Sequence, residues 1–193
     1  MKLARIVLSA AAFCTTLAGA LPASAAVLTS VGGSSANLVT DLSTGSNLSF
    51  DFDLVNFTPV ILNFAVEAAD LSAPLLSFNT LVRNLSGLGF AQIDVGLTNI
   101  TFAQPGTITP TFGTRTAFMN TPTTAFAAFN PAEPAELYFG NPLGLAGQRD
   151  WTLDLSGLAV GDSFAIRTAV PEPATYALLA AGLLMVGLSR RRR

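Results

Sequence analysis

The chain predicts an all-β fold, an antiparallel β-sandwich of the Ig-like or jelly-roll type, followed by a C-terminal transmembrane-like helix. Three observations carry that expectation. Apolar and polar residues alternate with a period of two in run after run, turn-forming pairs separate the runs, and no amphipathic helical stretch interrupts residues 27–169. Only near the end does a long uncharged stretch appear, from Ala174 to Leu188.

The first segment is not part of the fold. Lys2 and Arg5 precede an apolar stretch over residues 6–19, and Ala23 and Ala25 supply a small-residue cleavage site. A basic start, a short apolar core and Ala-x-Ala make a secretory signal peptide over residues 1–25, cut after Ala25 by signal peptidase. Cys14 lies inside the apolar stretch behind Phe13, where a lipoprotein signal requires a small residue.

Residues 26–169 form one domain's worth of chain. Leu48, Phe50, Phe52 and Leu54 alternate with Ser49, Asp51 and Asp53, which puts one face on a core and the other in water. The same pattern recurs around Leu62, Phe64 and Val66, around Ile93 and Val95, at Ile100 and Phe102, at Trp151, Leu153 and Leu155, and at Phe164 and Ile166. Gly32 with Gly33, Thr58 with Pro59, Ala73 with Pro74, Gly87 with Gly89, Pro105 with Gly106, Asn130 with Pro131 and Asn141 with Pro142 mark the turns. Eight to ten short strands result. Residues 110–149 hold five prolines and read as loops around short pieces such as residues 137–139. The strands near 150–156 and 163–169 read as a closing hairpin, similar to that of Ig-like domains common in bacterial surface proteins.

Composition excludes several functions. Within 26–169 the four arginines, Arg83, Arg115, Arg149 and Arg167, face eleven carboxylates, a net charge of 4 − 11 = −7 with no lysine. Such a domain offers no footprint for nucleic acid and is repelled by anionic lipid. The only cysteine leaves with the signal peptide, so no disulfide holds the exported domain. Thirteen of the 14 phenylalanines lie in this region and supply a core instead.

The tail has a different logic. Pro171 and Pro173 flank Glu172 in a stiff spacer that cannot continue a helix. The 15 uncharged residues that follow would make about 22 Å of helix against a hydrocarbon core of about 30 Å. Arg190, Arg191, Arg192 and Arg193 would then stop in the cytoplasmic headgroups, leaving the Pro-Glu-Pro triplet and the domain on the far side of the membrane. The order of Pro-Glu-Pro, short apolar stretch and terminal arginines over residues 170–193 closely resembles the PEP-CTERM sorting signal of Gram-negative bacteria. That resemblance implies recognition and cleavage at Pro171, Glu172 and Pro173 by exosortase, a membrane-embedded transpeptidase-like enzyme. It further implies transient inner-membrane anchoring, delivery to the cell surface or extracellular matrix, and an association with exopolysaccharide and biofilm.

Chemistry is limited by what is missing. The chain has no histidine, and its exported part has neither cysteine nor lysine. Ser-His-Asp and Cys-His nucleophile systems, His/Cys zinc sites and a Walker-type lysine are thereby excluded. Asp51 and Asp53 share one strand face and, with Asp41, suggest either a calcium site or an acid/base pair, against the plainer reading of a solvated strand face. Residues 43–46 read as a β-turn, and Gly87 with Gly89 as a strand-connecting loop. Trp151 faces the same side as Leu153 and Leu155, so core packing is its expected role. Asn47, Asn56, Asn84 and Asn99 stand in N-x-Ser/Thr triplets, which arise by chance in a chain rich in these residues. No catalytic, cofactor-binding or metal-binding residue is expected. The commitment is a non-enzymatic exported surface protein. A carbohydrate-binding or carbohydrate-active surface protein, and a plain C-terminally anchored membrane protein, are the alternatives.

Overall fold

The computed structural model describes residues 26–171. Thirteen strands and one short helix follow one another along them: β1 (Val27–Gly32), β2 (Leu38–Asp41), β3 (Asn47–Leu54), β4 (Val60–Ala65), α1 (Ala68–Ser72), β5 (Leu75–Asn84), β6 (Phe90–Thr98), β7 (Thr101–Gln104), β8 (Ile108–Pro110), β9 (Arg115–Asn120), β10 (Thr124–Glu133), β11 (Glu136–Phe139), β12 (Trp151–Asp154) and β13 (Ser163–Ala169). The alternation read from the sequence is the burial pattern observed: Leu48, Phe50, Phe52 and Leu54 are buried while the residues between them are half-exposed. Both sheets turn such faces inward onto one continuous hydrophobic core. The transmembrane-like helix expected after residue 173 lies outside the described residues, as do Ala23 and Ala25. Among the described residues no helix is long and apolar enough to cross a membrane.

One sheet has the order β1-β4-β13-β6-β10-β9, with every neighbouring pair antiparallel. The other runs β2-β3-β5-β11-β8, with β12 pairing both β5 and β7. Here the expectation of a purely antiparallel sandwich fails, because β3 and β5 pair in parallel from Asn47 opposite Ser77 to Leu54 opposite Asn84. The cause is connectivity. The strand between them, β4, lies in the opposite sheet and returns the chain, so β5 re-enters beside β3 in the same direction.

The expected closing hairpin is not formed. β12 belongs to the sheet of β5 and β7, whereas β13 inserts between β4 and β6, so residues 155–162 cross from one sheet to the other. Residues 110–149 are also more regular than their prolines suggest. β10 is ten residues long and pairs with β6 and β9, and Pro131 is accommodated at an irregularity between Ala128 and Glu133 where no ladder bond is required. These added strands raise the number above the expected eight to ten.

The second sheet contains a break. β11 pairs with β5 up to Phe139 opposite Thr80, and β12 resumes at Trp151 opposite Phe78, so the two are halves of one strand interrupted by residues 140–150. β7 and β8 flank them as halves of the next strand, interrupted at residues 105–107. Gly106 and Gly140 permit the break. A Cβ on Gly106 would meet Trp151 Cδ1 at 2.5 Å, and Gly140 adopts φ +82° with the Asn79 side chain 2.7 Å from the Cβ it lacks.

Candidate functional site

The chain ends of the domain lie at opposite ends of the sandwich. Val27 stands opposite Ala65 at the end of β4, whereas β13 runs toward the start of β4, with Thr168 opposite Val60. β13 is hydrogen-bonded on both sides, and its last residue, Ala169, pairs with Asp94. Val170 is still buried at 3 % exposure, and Pro171 is exposed. Folded structure therefore reaches to within one residue of the Pro-Glu-Pro triplet. Pro171 is the only residue of the predicted processing site in view, since Glu172, Pro173 and Arg190 to Arg193 lie outside the described residues.

Residues 169–193 match the family model of the PEP-CTERM protein-sorting motif. The tail is thus similar to a PEP-CTERM sorting signal. This motif implies exosortase as a processing partner, and export with sorting to the cell surface. The match begins at Ala169, one residue before the segment read from the sequence, so the PEP-CTERM motif overlaps the end of β13. No curated protein and no solved structure matches the chain.

Within the domain the carboxylates have structural partners. Arg83 on β5 reaches across the parallel pair to Asp51 at 3.5 Å and to Asp53 at 2.5 Å, with all three side chains partly exposed. Its guanidinium stands where a cation shared by the two acids would sit. Asp41 turns away, its Oδ1 accepting the Ser43 amide at 2.9 Å. Among the described residues no group of three metal-ligating side chains clusters. Arg83→Ala is expected to lower stability by about 1 kcal/mol or less, as for exposed ion pairs generally. A thermal melt showing a large loss would mean that this cluster is structurally dominant.

Trp151 is fully buried. Its ring stacks on Phe139 at 4.6 Å and packs against Phe102 at 4.7 Å, while its Nε1 donates to the Thr107 carbonyl at 3.2 Å. The aromatic platform that a sugar-binding surface around Asp51 and Asp53 would require is therefore not supplied by this residue. Tyr138 is half-buried, and its hydroxyl donates to Glu136. Residues 43–46 are a turn closed by the Thr44 and Asn47 bridge, and Gly87 at φ +75° turns the chain from β5 into β6, as expected. The four sequon asparagines are bound into the fold. Asn47 accepts from Asn79, Asn56 from Asn37, Asn84 donates to Leu88 and Glu133 carbonyls, and Asn99 donates to Ser163.

The most unusual polar residue is Glu133, which the sequence reading passed over. It is fully buried at the end of β10. Oε2 accepts the Phe112 and Gly113 amides at 2.7 and 2.8 Å, and Oε1 accepts those of Ala135 and Glu136 at 2.9 and 3.2 Å. Burial pushes its carboxyl upward, but the four amides, Gly113 foremost, outweigh that and hold it below the usual glutamate value. Each carboxylate oxygen thus closes one loop. The only sequence signal was an acid between Pro131 and Pro134, where the chain cannot satisfy neighbouring amides by regular pairing.

Proposed function

We propose that the chain is a non-enzymatic protein of the cell surface or extracellular matrix of a Gram-negative bacterium. A signal peptide over residues 1–25 exports it, exosortase cleaves it at Pro171, Glu172 and Pro173, and the released domain associates with exopolysaccharide. The observation that carries this reading is the junction. The sandwich is complete at Val170, and the exposed Pro171 opens the Pro-Glu-Pro triplet, so cleavage within the triplet leaves every strand of the described residues intact. The pairing of Asp51 and Asp53 with Arg83 and the burial of the tryptophan support a scaffold role for the domain over a catalytic one.

Replacing Pro171, Glu172 and Pro173 together by alanine is expected to hold the protein in the inner membrane, measured by fractionation. Mass spectrometry of the wild-type material outside the cell is expected to find no peptide from residues 183–193. Unchanged release of the triple variant, or an external chain that retains its arginines, overturns the sorting reading in favour of a plain anchor.

A further inference from the structure

The loops at the exit end of the sandwich share an unusual surface. They comprise residues 33–37, 55–59, 85–89, 111–114 and 134–135, and none of these residues is charged. The pairings place them together: Asn37 bonds the 55–58 segment, the Leu85 amide donates to the Leu54 carbonyl, Asn84 bonds Leu88, and Glu133 binds the amides of Phe112 and Gly113. Val55, Leu85, Leu88 and Phe112 project from them at 41, 57, 40 and 69 % exposure. Glu67, Asp154 and Asp162 lie at the opposite end, beside the end of β4 and the start of β5.

Chain length fixes what this surface faces. Only Glu172 and Pro173 separate Pro171 from the apolar run that begins at Ala174. Three residues span at most about 10 Å when fully extended. The polar headgroup layer on one side of a bilayer is roughly 6 Å thick. A domain tethered so closely to a membrane-inserted run stays within about 4 Å of the headgroup surface even when the tether is fully extended.

We propose that, before cleavage, this end of the sandwich, whose loops carry no charged side chain, lies against the phospholipid surface with Val55, Leu85, Leu88 and Phe112 in the interfacial layer and the end that bears Glu67, Asp154 and Asp162 directed away. The inference rests on the reading that residues 174–188 enter the membrane. A domain of net charge −7 is repelled by anionic lipid as a whole, and the loops at this end add nothing to that penalty: beside them stand only the buried Glu133 and the strand-end residues Arg115 and Glu136, of opposite charge.

The test uses the full chain in a Cys14→Ser background, produced in cells without exosortase and reconstituted into phosphatidylcholine vesicles. A fluorophore is placed at Thr111→Cys, beside Phe112, or at Ser46→Cys at the opposite end. The Thr111 label is expected to be quenched by a soluble collisional quencher roughly threefold or more slowly than the Ser46 label, and to be quenched by lipid-borne quenchers. Leu85→Glu with Phe112→Glu is expected to remove that shielding without altering flotation with the vesicles. Equal accessibility of the two labels on a chain that floats overturns the docking and leaves the sorting reading standing. A chain that fails to float overturns both. Shielding found in native membranes but absent from lipid vesicles assigns the surface to a protein partner and overturns the lipid assignment.

Discussion

Glu133→Gln is expected to lower the melting temperature of the domain by roughly 10 °C, equivalent to a loss of about 3 kcal/mol. Both carboxylate oxygens are fully used, each by two backbone amides. A glutamine has one acceptor oxygen, so whichever way its amide turns, its NH2 group meets two N–H donors. Two part-buried amides then lose their acceptor, at about 1–3 kcal/mol each. The pH dependence follows from the direction of the shift. The folded carboxyl is held below its ordinary value, so its contribution is fully present above about pH 4.3 and fades as pH falls through the lower folded value. The gap between wild type and Glu133→Gln should therefore be largest near neutrality and narrow in acid. A gap that is small at pH 7, or that widens on acidification, would contradict the assignment.

Trp151→Ala is expected to cost about 3–5 kcal/mol, read from urea unfolding followed by circular dichroism. The indole plugs the place where two strand pairs are interrupted together, between Phe139, Phe102 and the Gly106 backbone. Its removal opens a cavity that Gly106 cannot fill, and it frees the Thr107 carbonyl that Nε1 now bonds. Trp151→Phe should recover most of the packing but not that hydrogen bond, leaving a deficit of about 1 kcal/mol or more. Because Trp151 is the only tryptophan, wild-type fluorescence reports this one location directly. Emission characteristic of a water-exposed indole in the folded protein would refute the burial, as would an alanine variant of near wild-type stability.

Alternation made β3, β4, β6, β12 and β13 legible because large apolar residues face inward there and polar ones face out. β10 escaped because both its faces are apolar. Ala125, Ala127 and Phe129 point to the core while Phe126 and Ala128 cover the outer face between β6 and β9, so hydropathy shows no period. β9 escaped for the opposite reason, since all six of its residues are exposed at a sheet edge. The crossing between β12 and β13 has no local signature at all. Residues 157–162 contain the glycines of a turn, and only the competition of β4 and β6 for β13 decides that the chain changes sheets. At the candidate site, the processing triplet was readable because it is a linear signal. The surface of uncharged loops was not, because it is assembled from five segments spread over a hundred residues of chain.

The placement of β13 also orders events in time. The last strand to be synthesised and exported is an interior member of a six-stranded sheet, with β4 on one side and β6 on the other. Until residue 169 has crossed the membrane, that sheet lacks its middle, and its two halves have only each other's unpaired edges to meet. Long-range closure of this kind is slow and leaves incomplete chains prone to aggregation. The domain therefore completes its fold only when the sorting motif itself arrives, so a finished sandwich and a presented cleavage site come into existence together.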